Sequence, residues 1–315
     1  MGDITRNKEL EASLKSLDTE EFIDIHFYRP IGYRWALLFR KLGVHPNVVT
    51  IISIFIGVAA GVFFYFNDLK LNVIGMLLLV WANMYDSADG QLARLTGQKT
   101  HWGRMLDGFA GDLWFFSIYF FICLRFTVSH NWQTEAFEIT GVWLLAALSG
   151  FIFHSKQSAL ADYYRNIHLF FLKGKEGSEL DTYKQQHELL RATPWKGNFW
   201  WKIWLFFYGN YTHSQESMSP AFQQLMALLK KKYGERIPSD FRDEFRRLSK
   251  PLMKYTNILT FNTRAIALFI CLFIGHPWLY FVFELTIMNV LFVYMRHRHE
   301  KMCRMFIQQL KNGEK

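Results

Sequence analysis

Six apolar stretches, each near the length needed to cross a lipid bilayer, constrain this chain more than any other feature. They run approximately over residues 48–66, 71–85, 105–126, 139–153, 258–275 and 277–295. A hydrocarbon core about 30 Å thick takes about 20 mostly apolar residues as a helix. The second and fourth stretches are short, and each can extend into the less apolar residues that follow. The expected class is all-α, a polytopic membrane protein with six transmembrane helices. A hydrophobic fraction of 51 % understates this, because long polar segments dilute the spans.

Charge gives an orientation. Lys and Arg accumulate on the cytoplasmic side of membrane proteins. Segments 1–47, 86–104, 154–257 and 296–315 together carry 33 of the 36 basic residues. The opposite connections hold only Lys70, and Arg125 and Arg264 lie within spans. An even number of helices with cytoplasmic N- and C-termini satisfies this asymmetry and predicts a multi-pass protein of the cell membrane. The net charge of +9 suits a cytoplasmic face resting on anionic lipid. The basic residues track the span ends instead of forming one dense patch, so no nucleic acid partner is expected. The first 40 residues lack an apolar core, so no cleavable signal is expected. Cys123, Cys271 and Cys303 are too few for a disulfide framework and read as small buried apolar residues.

Five regions follow from this pattern. Residues 1–47 form an N-terminal segment in which 18–43, with Phe22, Trp35, Leu38 and Phe39 among Arg29, Arg34 and Arg40, reads as an amphipathic interfacial helix. Residues 48–160 carry spans one to four, and 161–257 form a helical cytoplasmic or interfacial insert. Residues 258–295 carry spans five and six, and 296–315 form a basic cytoplasmic tail. Within the insert, 198–208 is too short and too Trp-rich to span and reads as a helix at headgroup level. Ser219-Pro220 and Pro238-Ser239 open two further helices, with Phe222, Leu225, Met226 and Leu229 on one stripe and Phe241, Phe245 and Leu248 on the other. These stripes pack on each other or a partner, or form a lid.

Aspartates stand where the second and third spans meet water. Asp86 and Asp89, three residues apart, share one helical face at the end of the second span. Asp107 and Asp112 open the third span, across a short connection. Acids at membrane depth pair, coordinate a metal or line a wet cavity. Oxygen-rich hard ligands without clustered His or Cys favour Mg²⁺ or Mn²⁺ over Zn²⁺. Two such ions would clamp a diphosphate and stabilise both the attacking and the leaving oxygen of an in-line displacement. Arg94 can neutralise a phosphate oxygen, Gly90 and Ala93 leave room for a nucleotide, and one carboxylate can accept a hydroxyl proton. The plainer alternative is a set of helix-end acids paired with Arg94, Lys99 and Arg104.

The run Asp86-x-x-Asp89-Gly90-x-x-Ala93-Arg94, eight residues, Gly103-x-x-x-Asp107 resembles the signature of the CDP-alcohol phosphotransferases. That resemblance implies a six-helix, usually dimeric membrane enzyme. Such enzymes displace CMP from a CDP-linked donor with an alcohol acceptor, using Mg²⁺ or Mn²⁺. It implies that Asp86, Asp89 and Asp107 are metal ligands and that Gly90, Ala93, Arg94 and Gly103 surround the CDP group. Pro46-Asn47-Val48-Val49-Thr50 is similar to the family's entry into the first span, where Asn47 and Thr50 would touch the donor. Thr100 matches a small hydroxyl position before the second glycine. A helix cap or loop hydrogen bond explains Asn47, Thr50 and Thr100 equally well.

The chain departs from the signature at its last acid. Gly111 stands four residues after Asp107, and the carboxylate comes one later, at Asp112. In a regular α-helix i+4 lies about 40° around from i, whereas i+5 lies about 140° around. A π-bulge eased by Gly111 would restore Asp112 to the site as fourth metal ligand and catalytic base. Failing that, His101 or His154 are the next bases to consider. The expected donor is CDP-diacylglycerol and the expected acceptor a small polar alcohol such as an inositol phosphate or other polyol. The alternative is transfer from CDP-ethanolamine or CDP-choline to diacylglycerol or ceramide. Arg125, Arg264 and Arg165 are candidates for an acceptor phosphate, or for pairing with acids such as Glu284. A rival of another class is a non-catalytic cation-binding transporter or structural membrane protein.

Overall fold

The computed structural model describes residues 15–234 and 236–312. The outermost parts of the basic N-terminal and C-terminal segments, 1–14 and 313–315, lie outside the described residues. All regular structure among the described residues is helical. Six helices are long and apolar enough to cross a membrane: Pro46–Phe64, Leu69–Thr96, His101–Ser129, Ala136–Lys173, Ser239–Ile274 and Leu279–Asn312. In a bilayer the backbone has no water to bond, and a helix satisfies every interior N–H and C=O within its own segment. The second, fourth and sixth helices run well past the apolar stretches, as the polar residues that follow continue the same ladder.

The chain folds into two compact units, one containing the residues up to Ser155 with Asn262–Thr286, the other Lys156–Phe261 with Ile287 onward. In the first unit a π-helical turn, Asp24–Tyr28, leads into α1 (Arg29–Lys41), followed by α2 (Pro46–Phe64), α3 (Leu69–Thr96) and α4 (His101–Ser129). Next come α5 (Ala136–Ala147) and a π-helical stretch, Leu148–His154. Asp68 caps α3 by accepting from Leu71 N at 3.0 Å, and Gly97 ends it at φ 69°, a conformation open to glycine. Three residues later Thr100 caps α4, its Oγ1 accepting from Gly103 N at 2.9 Å. This tight reversal sets the signature parts of α3 and α4 side by side. At 1.5 Å per residue α3 is about 42 Å long, so its last turns and the first of α4 reach beyond a hydrocarbon core about 30 Å thick.

Small residues set how closely these helices pack. A Cβ on Gly57 would lie 2.2 Å from the Trp114 ring, and one on Gly61 would meet Ser117 Oγ at 2.3 Å and its carbonyl carbon at 2.8 Å. Close backbone approach through small residues is the usual device of membrane helices. It also lets Ser117 Oγ donate to Val58 O at 2.9 Å.

The remaining first-unit pieces are α12 (Phe261–Ile274), which starts one residue earlier in sequence than the unit itself, and α13 (Leu279–Phe283) with its π-helical continuation Glu284–Met288, whose last two residues belong to the second unit. Glu284 is fully buried. Its carboxylate accepts hydrogen bonds from Ser149 Oγ at 2.5 Å and Tyr280 OH at 2.7 Å, and also from Tyr119 OH and the Arg264 guanidinium. His154 Nδ1 lies 3.1 Å from the same carboxylate. Arg264 is thus paired inside the protein. Arg125 donates to Asn67 Oδ1 at 2.6 Å, and at 3.4 Å to Asn72 Oδ1 and Phe64 O. Both intramembrane arginines bond within the fold: Arg264 pairs with an acid, the second of the two roles open to it in the sequence, whereas Arg125 is held by amide and carbonyl oxygens.

The second unit contains α6 (Ser155–Lys173, from Lys156 on), α7 (Tyr183–Ala192), α8 (Phe199–Ser217), α9 (Pro220–Tyr233), α10 (Ser239–Ser249), α11 (Met253–Ile258) and α14 (Asn289–Asn312). The two expected stripes are real. Phe222, Leu225 and Leu229 are buried on α9, and Phe245 of α10 stacks on Phe171 at 3.8 Å and meets Phe306 at 5.4 Å. Glu300 caps α9 from α14, accepting from Ala221 N at 2.9 Å. Arg165 donates to Asn257 Oδ1 at 3.2 Å. Helix α8 turns Leu205 and Gly209 inward and leaves Trp200, Phe206 and Phe207 exposed.

Candidate active site

Asp86 and Asp89 project from the last third of α3 and Asp107 from the second turn of α4. One carboxylate oxygen of each lies within 4.8 Å of those of the other two. Asp89 is buried, Asp86 half-buried and Asp107 exposed, so the cluster has one closed and one open side. Three carboxylates this close repel unless cations or protons intervene. An all-oxygen donor set of this spacing fits a hard divalent cation such as Mg²⁺ or Mn²⁺.

Helix α2 supports the cluster from beside it. Thr50 Oγ1 donates to Asp89 Oδ2 at 2.5 Å and lies 3.2 Å from Pro46 O, and both side chains are buried. Asn47, one turn earlier, points to the entrance of α4: a Cβ on Gly103 would sit 3.2 Å from Asn47 Oδ1 and 3.0 Å from Thr100 Oγ1. The sequence motifs at 46–50, 86–94 and 100–107 therefore converge. On α3 the atoms nearest to a Cβ at Gly90 all belong to the Arg94 guanidinium, the closest at 3.5 Å, ordinary van der Waals contact.

The N-terminal helix does more than the sequence indicated. Arg29, at the start of α1, donates to Glu20 Oε2 at 2.9 Å and to Ser87 Oγ at 3.3 Å, and Gln91 Nε2 donates back to Arg29 O at 3.2 Å. Burial works against the Arg29 charge, but Glu20, Asp24 and Asp86 together more than offset it, and the guanidinium pKa is raised. Gly32 lets the two helices touch, because a Cβ there would come within 2.8 Å of Ser87 Oγ. Ala36, Phe39, Val49, Tyr85 and Leu92 continue this contact as one apolar core. Ser87 and Gln91 stand between the signature residues in sequence, and alternating helix faces explain why: one face presents acids, the next takes α1.

Asp112 is not among the carboxylates that converge. Helix α4 is regular from His101 to Ser129, without the expected π-bulge, so Asp112 keeps the rotation of about 140° from Asp107. It lines a separate cavity with Phe116, Tyr119, Gly150 and His154. The fourth-ligand and base roles expected of it have no geometric support. Of the two fallback bases, His101 bonds Arg104 through Nδ1 at 2.9 Å, and His154 belongs to the Glu284 network.

Residues 43–172 match the family model described as CDP-alcohol phosphatidyltransferase. This segment is similar to that family over 130 of the chain's 315 residues. Its members are transferases of substituted phosphate groups, and the matched segment includes every residue of the signature. The chain is 31 % identical over 106 residues to an archaetidylinositol phosphate synthase of Pyrococcus horikoshii, covering 34 % of this chain and 54 % of that protein. It is also 36 % identical over 69 residues to an uncharacterized protein of Aquifex aeolicus, covering 22 % of this chain and 34 % of that one. The chain thus spans about a third to a half of the length of these curated relatives. No solved structure matches it.

Proposed function

We propose that this chain is a metal-dependent CDP-alcohol phosphotransferase that displaces CMP from a CDP-linked donor with the hydroxyl of an acceptor alcohol. The observation that carries this reading is the convergence of Asp86, Asp89 and Asp107 within 4.8 Å of one another. These carboxylates would hold two divalent ions, which supply charge stabilisation to the pyrophosphate and to departing CMP. Asn47, Thr50, Gly90, Ala93, Arg94, Thr100 and Gly103 would surround the CDP group, with Arg94 countering a phosphate oxygen. The acceptor oxygen bonds to the phosphorus that carries the donor's alcohol group, the phosphorus–oxygen bond to CMP breaks, and a cluster carboxylate takes the hydroxyl proton. The donor is CDP-diacylglycerol and the acceptor a small polar alcohol such as an inositol phosphate. The name of the archaeal relative, an archaetidylinositol phosphate synthase, supports the inositol phosphate acceptor. The site faces the cytoplasm, in keeping with the basic residues around it, and the protein works as a homodimer in the cell membrane.

Purified protein in lipid, given labelled CDP-diacylglycerol, Mn²⁺ and a panel of polyol phosphates, is expected to release CMP and form a labelled phospholipid. Asp89→Asn is expected to stop both. Release of CMP only from CDP-ethanolamine with diacylglycerol would move the protein to the other branch. Cation binding without CMP release from any donor would sink the enzymatic reading.

A further inference from the structure

Helices α4 and α5, with the π-helical stretch after α5, enclose a cavity of about 530 Å³. That is within the range of about 300–1,000 Å³ usual for ligand pockets. Most of its wall is apolar: Phe116, Phe120, Cys123, Trp143 and Phe151 contribute to it. Phe116 and Phe151 are 53 % and 73 % exposed on candidate membrane spans, so the cavity opens to lipid. Asp112, His154, Ser155, the Tyr119 hydroxyl and the Trp143 indole N–H break this lining; Tyr119 bonds Glu284 and Trp143 bonds Thr127, and two of the others matter most here. One is Asp112, which has no hydrogen bond or ion pair among the described residues. The other is His154, whose Nδ1 is held by Tyr119, Arg264 and Glu284 and whose Nε2 has no partner among the described residues.

Asp112 is exposed on the wall of this cavity, and a carboxylate without a partner on a membrane-facing cavity marks a site for one. Its partner must donate a hydrogen bond, and the apolar remainder of the cavity suits a hydrocarbon chain. An imidazole nitrogen on the same cavity wall suits a group able both to donate and to accept, which a hydroxyl does. We propose that this cavity binds a neutral lipid alcohol, its hydroxyl end at Asp112 and His154 and its chain along Phe116, Phe120 and Phe151. The site is separate from the three-aspartate cluster and stands whether or not the transferase reading holds.

The test is photolabelling of the full-length protein in phosphatidylcholine nanodiscs with a monoacylglycerol carrying a diazirine in its chain. Labelled peptides are expected from 109–123 and 143–155, and excess unlabelled monoacylglycerol is expected to suppress them where the methyl ester of the same fatty acid does not. Asp112→Asn, nearly isosteric, is expected to reduce labelling about tenfold, the effect of losing one charged hydrogen bond. Ala147→Trp, on an exposed cavity-lining position, is expected to remove it by filling the space. Labelling unchanged in Asp112→Asn, or equally suppressed by the methyl ester, would mean that the cavity holds acyl tails without regard to a hydroxyl and would overturn the proposal.

Discussion

Thr50 shows how much one hydroxyl can carry. It belongs to α2, yet its hydrogen bond reaches Asp89 on α3 and fixes one rotamer of a metal-ligand candidate. Loss of such a supporting partner typically costs a metal site about 10–100-fold in affinity or activity. Thr50→Val is expected to raise the Mn²⁺ concentration for half-maximal CMP release by about tenfold, and Thr50→Ser to restore it; a metal titration of the transfer assay checks both. Chelation by EDTA is expected to abolish transfer, with recovery on adding Mg²⁺ or Mn²⁺ but not Zn²⁺. Glu284 is the second residue on which much depends. Removing one partner of a buried ion pair costs about 3–5 kcal/mol, because the other charge stays buried. Glu284→Gln leaves Arg264 in that position, so its unfolding midpoint in detergent is expected to fall sharply, as read by thermal scanning.

Among the elements, α2 and α4 are held together by glycine more than by side-chain volume. Gly61→Leu must push against the backbone of Ser117, and overpacking of this kind costs about 1–3 kcal/mol. A lower melting midpoint is expected together with weaker transfer, since the displaced α4 carries Asp107; Gly141→Ala, with open space around it, serves as the control. Helix α1 is coupled to the site through α3. Arg29→Met keeps the apolar stem but removes the bonds to Glu20 and Ser87. The expected result is reduced kcat, because Arg29 braces the α3 face next to the acids and its charge acts on Asp86.

Over the whole molecule, the asymmetry of basic residues predicts which connections share a side of the membrane. The connection between α3 and α4 and the one between α4 and α5 must lie on opposite sides, since α4 is a single helix between them. Gln98→Cys is expected to react with an impermeant maleimide only from the cytoplasm and Gln133→Cys only from outside, in intact cells against inverted vesicles. The three native cysteines are buried and give little background. Reaction of Gln98→Cys from outside would reverse the orientation and place the acid cluster away from the cytoplasm.

Composition and periodicity alone determined the helical class, the six spans, the helix start at Ser219-Pro220, and the shared face of Asp86 and Asp89. Each of these depends on neighbours within a few turns of one helix, and local spacing records them. Tertiary structure decided the rest. Only the crossing of α2 and α3 brings Thr50 to Asp89, only the pairing of α12 with α13 removes Arg264 from the list of anion sites, and only the packing of α1 shows why Ser87 and Gln91 sit among the acids. Asp112 is the sharpest case. Its distance along the chain from Asp107 left two positions open, in the cluster or away from it, and the unbulged hydrogen-bond ladder of α4 turned it to the cavity. Sequence spacing fixes angles only while the helix stays regular, and whether it stays regular depends on what packs against it.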